Sequence, residues 1–199
     1  MKNYERYLEK TSEEYEKKTI MFYFCRMPSD RIIIPFISKI KGKNILDVGL
    51  GTGYYTRILI EDNEVAGVDQ NPHLCKLPIK VYKGDATELT KLVRGEKFNI
   101  VFSTWMTEYL DEEQLSFFFA DSKKVLKDDG MLITTVISKY GLGFVYITMA
   151  KLLRGINKYY YHPREIIKKL KTTGFSDVKI VKLNSWLSLP WAYMAVAKV

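Results

Sequence analysis

The sequence is poor in the residues from which covalent staples and metal centres are made. Cysteine occurs twice in 199 residues, at Cys25 and Cys75, and histidine twice, at His73 and His162. No CxxC or Cys/His spacing is present, so neither a disulfide framework nor a metal site is expected, and the isolated thiols suggest a reducing, cytoplasmic compartment. Long uncharged runs are missing too. The longest in the C-terminal half, Asn184 to Ala197, is broken by Asn, Ser and Pro190 and is too short to span a bilayer. Met1 to Lys18 is charged throughout and does not read as a secretory signal. Linker-like, repetitive and low-complexity stretches are absent, which predicts one domain over residues 1–199, large enough to bury a core without a staple.

Acids become scarce toward the end of the chain. Lys139 to Val199 holds eleven Lys/Arg against two Asp/Glu, while the first 138 residues nearly balance, so the overall +8 is carried by the last third. This imbalance reads either as solvated helix faces or as a surface for an anionic partner, whether a membrane, a lipid or RNA.

Five short β-branched or aromatic runs, bounded by polar residues or glycine, read as buried strands: Asn44–Val48, Glu64–Val68, Ile79–Tyr82, Phe98–Ser103 and Met131–Ile137. Helical patterns lie between most of them. Tyr54–Glu61 is one, and Glu112–Leu126 is another, with its apolar stripe at Leu115, Phe118, Phe119, Ser122 and Val125. Before the first strand, Asp30 is placed to cap a helix through Ile33, Ile37 and Ile40 that closes at Gly42. His162-Pro163 opens a further helix running to Gly174. Val178–Leu183 and Ala192–Ala197 then follow with only a loop between them. The expectation is an α/β fold: a doubly wound seven-stranded sheet, mostly parallel, with helices on both faces and an antiparallel C-terminal hairpin strand. Within it, 1–42 forms a helical arm or lid, 43–137 the cofactor-binding half, 138–161 a substrate-side insertion, and 162–199 the final helix and hairpin.

The first strand runs directly into Gly49-Leu50-Gly51-Thr52-Gly53. Glycine lets the backbone turn sharply and approach a ligand closely, and in an open parallel sheet ligands bind beyond the C-terminal strand ends. The third glycine of a dinucleotide fingerprint, G-x-G-x-x-G, is missing, because Tyr54 stands in its place. Acids follow in order instead. Asp69 ends the second strand, 22 residues after Asp47, and Asp85 follows the third. A carboxylate at the first position can accept both ribose hydroxyls, and one at the second can meet an adenine amino group. Asp47 beside the turn disfavours a pyrophosphate and favours a cationic ligand.

Taken together, these segments resemble the class I, Rossmann-like, S-adenosylmethionine-dependent methyltransferases, specifically the small single-domain group called type 11. Ile45-Leu46-Asp47-Val48-Gly49-Leu50-Gly51-Thr52-Gly53 matches the family's first motif, with Leu50 where Cys or Ala is more usual. Val65-Ala66-Gly67-Val68-Asp69 matches its ribose strand, and Gly84-Asp85-Ala86 its adenine contact. Phe98–Ser103, the stretch Val125–Leu132 and Gly174-Phe175 complete the order, over roughly Lys43 to Val199. The resemblance implies S-adenosylmethionine as methyl donor and S-adenosylhomocysteine as product. It places Gly49, Gly51 and Gly53 under the methionine moiety, Asp69 and Gln70 at the ribose, Asp85 and Ala86 at the adenine, Asp47 at the turn or amino group, and Ser103 beside the methyl.

The acceptor side carries no such signature. Asn-Pro-Pro-Tyr, a cysteine nucleophile and a histidine pair, which mark several subgroups, are all absent. Trp105 and Met106 after the fourth strand, with Tyr140 and Tyr161 bounding the insertion, are the candidate substrate-binding residues. The catalytic group is unassigned. Glu108 reads as a solvated acid at a helix start, with a base or cation-binding role as the alternative. His162 reads as a helix cap, with an acceptor-pocket role as the alternative, and His73 as a surface residue. Two covers are expected over the site. One is the aromatic arm bearing Tyr4, Tyr7, Tyr15, Phe22, Tyr23 and Phe24; the other is the stretch Phe144–Ala150, apolar on every side. The acceptor is expected to be a small apolar or anionic molecule. RNA, or a non-catalytic role in binding adenosylmethionine, stands as the alternative.

Overall fold

A computed structural model describes residues 22–154, 157–184 and 187–199. Seven strands form one sheet: β1 (Asn44–Val48), β2 (Glu64–Asp69), β3 (Lys80–Lys83), β4 (Phe98–Ser103), β5 (Leu126–Ile137), β6 (Val178–Asn184) and β7 (Pro190–Lys198). They lie in the order β3-β2-β1-β4-β5-β7-β6. Strands β1 to β5 pair in parallel, and β7 runs antiparallel to both β5 and β6, so six strands point one way and β7 opposes them. The strand order reverses between β1 and β4, which opens a crevice at their C-terminal ends.

Alternation along each strand divides the core between the two faces. Leu46, Val48, Val101 and Leu132 pack with α3 (Leu89–Val93), α4 (Glu112–Val125) and α6 (Pro163–Thr172). Ile45, Ile100, Phe102 and Ile133 pack with α1 (Met27–Ile37), α2 (Thr56–Leu59) and α5 (Leu142–Arg154). The stripe expected on α4 is buried throughout, and Asp111 with Gln114 forms a capping box at its start.

Several expected boundaries shift, three of them for reasons visible in the local contacts. Helix α1 begins at Met27 with Pro28 in its first turn, so Asp30 lies inside it and its carboxylate is free to act elsewhere. The helix after the glycine turn shrinks to Thr56–Leu59, where three-back hydrogen bonds such as Ile58 N–H to Tyr55 O at 3.0 Å and Glu61 N–H to Ile58 O at 3.4 Å mix with the four-back ones. Strand β5 starts at Leu126, since Leu126 pairs with Phe98 and Val199 N–H donates to Gly130 O at 3.0 Å. Tyr4, Tyr7 and Tyr15 of the aromatic arm lie outside the described residues.

Phe118 and Phe119 lie side by side under the sheet, their ring centroids 5.7 Å apart and both fully buried. Phe118→Ala should lower unfolding free energy by about 3–5 kcal/mol, read from the guanidinium midpoint with an unchanged denaturant slope.

Candidate cofactor site

At the end of β1 the chain turns through Gly49, Gly51 and Gly53 with φ of 73°, 54° and 81°, values open to glycine at little cost. At Gly49 space matters as well, because a methyl group there would stand 2.5 Å from Met106 Cγ. The turn is tied down by its own backbone and by one acid. Gly49 N–H donates to Val68 O at 2.8 Å, and Gly51 N–H to Asp69 Oδ2 at 2.9 Å. The other oxygen of Asp69 accepts Asn71 N–H at 2.8 Å. Two of the carboxylate's roughly four acceptor positions are thus used, and the others remain for a ligand.

Asp47, 2 % exposed, lies beneath the turn and accepts the Thr56 hydroxyl at 2.6 Å. Burial pushes its pKa up to about 7; the Thr56 hydrogen bond works against this shift, and the Asp69 charge adds to it. Asp85, after β3, accepts Thr87 N–H and Oγ1–H on one oxygen and Gln70 Nε2–H on the other at 2.8 Å. Gln70, Asp85 and the adjoining Ala86 therefore form a second group beside the first. Ser103 ends β4 fully buried, and its hydroxyl has no hydrogen-bond partner among the described residues.

Across the crevice, Trp105 has a φ of 57°, a strained conformation for a large side chain that costs on the order of 1–3 kcal/mol. It is held by its N–H to Thr135 Oγ1 at 2.7 Å and by its indole Nε1–H to the Tyr55 hydroxyl at 3.0 Å. Tyr55 in turn donates to Asp30 at 2.5 Å, as Tyr54 does at 3.1 Å, and the Arg26 guanidinium stacks 3.9 Å over the Tyr54 ring. Asp30 is therefore a link between α1 and the segment after the glycine turn, rather than the cap expected from sequence.

The acceptor-side candidates separate. Met106 packs beside Gly49, and Trp105 lies 6.1 Å from the Trp191 ring. Tyr161 belongs to the core, with its hydroxyl donating to Leu110 O at 2.7 Å. Tyr140 is exposed and meets the His162 ring edge-on at 5.5 Å. His162 caps α6, its Nδ1 accepting Arg164 N–H at 3.0 Å. Tyr23 and His73 are exposed.

Glu108 is not the solvated acid expected. At 5 % exposure it receives the buried Lys158 ammonium and the Tyr146 hydroxyl. Burial pulls the Lys158 pKa down, but the charges of Glu108, Tyr109 and Tyr146 outweigh it and leave it well above the ordinary value. The 50-residue gap between these partners left no local sequence signal for the pair. The Asp30–Tyr55 link was missed for the same reason, its partners lying 25 residues apart.

The site fits a cationic adenosine better than a phosphate ligand. Its polar groups are carboxylates, one of them buried, together with an unpartnered hydroxyl and an open glycine turn. The fold is that of the class I S-adenosylmethionine-dependent methyltransferases, and the family match supports S-adenosylmethionine as the cofactor. Within that class, residues 46–134 match the methyltransferase domain of the type 11 group, and the chain carries this domain. A tRNA U34 carboxymethyltransferase of Aeromonas hydrophila is 28 % identical over 170 residues, covering 76 % of this chain. The match takes in only 50 % of that relative, so the chain spans about half the length of the curated relatives it matches. A SAM-dependent methyltransferase from Thermotoga maritima superimposes with a TM-score of 0.75 at 17 % identity, covering 97 % of this chain and 98 % of that one. Magnesium protoporphyrin IX methyltransferase from Synechocystis, solved with S-adenosylhomocysteine, gives 0.69 at 16 % identity, covering 92 % and 88 %. Among the described residues no helix is long and apolar enough to cross a membrane.

Folded Asp47 keeps its proton up to about pH 7, against 3.8 for an ordinary aspartate. Between these values the folded chain binds more protons than the unfolded one, so stability falls as pH rises through the window, by up to about 1.4 kcal/mol per pH unit. Asp47→Asn should flatten that slope in pH-dependent denaturation. Glu108→Gln strands the Lys158 charge in the interior and should cost about 3–5 kcal/mol. Pairing it with Lys158→Met should recover much of the loss in the same assay.

Proposed function

We propose that the chain transfers the sulfonium methyl of S-adenosylmethionine to a small apolar or anionic acceptor held between the exit of β4 and segment 138–161. The observation that carries this reading is the glycine turn itself, with Asp69 bonded to Gly51 N–H, Asp47 buried at its base, Met106 packed against Gly49, and Asp85 bonded to Gln70 beside Asp69. When bound, the cofactor supplies an electrophilic methyl for in-line displacement, so the protein's work is alignment and exclusion of water. Asp69 holds the ribose hydroxyls with Gln70 alongside. Asp85 accepts the adenine amino group, and the Ala86 backbone adjoins it. Gly49, Gly51 and Gly53 leave room for the methionine moiety, and Asp47 attracts its amino group. Ser103 borders the methyl. The strained Trp105 forms the wall that orients the acceptor, and Tyr140 stands at the rim.

The acceptor, in this reading, brings its own nucleophile. Glu108 is engaged by Lys158 and His162 by its capping contacts, which leaves neither placed as a base in this arrangement. The N-terminal arm, through Arg26 on Tyr54 and Asp30 on Tyr55, covers the cofactor side.

RNA is the second reading, favoured by the tRNA-modifying relatives and by Arg164, Lys168 and Lys171, which lie exposed along α6. RNA binding would weaken steeply with salt, in proportion to the phosphates contacted. A small apolar acceptor would show no such dependence.

Calorimetry should show binding of S-adenosylmethionine and S-adenosylhomocysteine, and none of NAD. Asp85→Ala should weaken both on the order of tenfold. A cation favours ionised Asp47, so affinity for S-adenosylmethionine should rise as pH passes through about 7. Absence of binding to either compound would overturn the reading.

A further inference from the structure

From Lys139 to Arg164 the chain has five Lys/Arg and no Asp or Glu. The middle of this stretch is α5, which lies close against β7, since a methyl group on Gly143 would stand 2.6 Å from Trp191 O. Gly143 and Ile147 face inward and are buried, with Tyr146 half-buried beside them. The opposite face is apolar as well. Phe144, Val145, Met149 and Leu152 are 48 %, 50 %, 46 % and 74 % exposed. Their spacing of one, four and three residues puts all four on one side of the helix.

Two further exposed apolar side chains lie just before β7. Gly141 abuts Pro190, where a methyl would meet Pro190 O at 2.6 Å, so the approach to β7 lies beside the start of α5. Leu187 and Leu189 on that approach are also exposed. A surface helix ordinarily shows water a polar face, and a contiguous apolar patch of this kind marks an interaction site.

The surrounding charge selects the occupant. Lys139 and Lys151 are exposed at the two ends of the stripe, and no acid interrupts it. A strip of largely aliphatic side chains bounded only by cations complements anionic headgroups over acyl chains. RNA would instead be gripped by a denser set of cations and stacked on a row of aromatic rings, whereas the outward face of α5 offers the single ring of Phe144 among Val145, Met149 and Leu152.

We propose that the outer face of α5, with Leu187 and Leu189, seats the protein on an anionic membrane surface. Through this contact an acceptor dissolved in the lipid reaches the site; that second step rests on the apolar-acceptor reading above, whereas the docking stands on the surface itself. In sedimentation with mixed phosphatidylcholine–phosphatidylglycerol vesicles, the full chain should pellet with the anionic vesicles, pellet less in high salt, and stay in solution with phosphatidylcholine alone. Val145→Glu combined with Leu152→Glu should reduce vesicle binding on the order of tenfold or more. The same variant should keep its melting temperature and its affinity for S-adenosylmethionine, which separates this proposal from the donor reading. No pelleting with anionic vesicles at low salt would overturn the proposal, as would pelleting unaffected by the double substitution. Self-association in light scattering that the substitution abolishes, without vesicle binding, would overturn it in favour of a second copy on the same face.

Discussion

One carboxylate holds three parts of the molecule in register. Asp30 on α1 receives the hydroxyls of Tyr54 and Tyr55, the residues that leave the glycine turn. Tyr55 then accepts the indole N–H of Trp105 from the exit of β4. The helix before the sheet, the glycine turn and the exit of β4 are therefore fixed to one another through two side chains. A carboxylate in an apolar setting is costly unless its lone pairs are met. Burial drives the Asp30 pKa up, and the Tyr55 hydrogen bond with the Arg26 charge opposes it. The strain at Trp105 is tolerable for the same reason, because both its backbone N–H and its ring N–H are held.

The fold was legible because its signals are local. Each strand is a short apolar run with its own boundaries, and the glycine turn, Asp69 and Asp85 declare themselves by order along the chain. The lack of a helix between the last two runs even indicated the reversed strand. What sequence could not show were contacts whose partners lie far apart. Asp30 offers a good capping residue type in a plausible place, and only the packed structure reveals that Tyr55 claims it. Glu108 has the look of a surface acid at a helix start. Its burial depends on Lys158, fifty residues on, arriving with the right geometry. Helix α5 was readable as apolar on every side, but which side would stay uncovered depends on where β7 runs.

The methyl donor and the acceptor are thus recorded in different ways. The residues proposed for the donor are backbone turns and single acids at strand ends, set on a fold that solved structures share at identities of 16 and 17 %. The acceptor side, as proposed, is assembled from the β4 exit, the segment after β5 and the start of β7. Their mutual placement rests on long-range pairs such as Glu108 with Lys158 and Trp105 with Trp191.

Helix α5 presents a different surface on each side. Val145 looks outward, while the next residue, Tyr146, looks inward to bond with Glu108 and lie against Trp191. One turn of helix thus carries an uncovered apolar side chain and, one residue later, a hydroxyl tied to the buried Glu108–Lys158 pair. Through Tyr146 the outward surface and the interior around Trp191 share a single stretch of backbone.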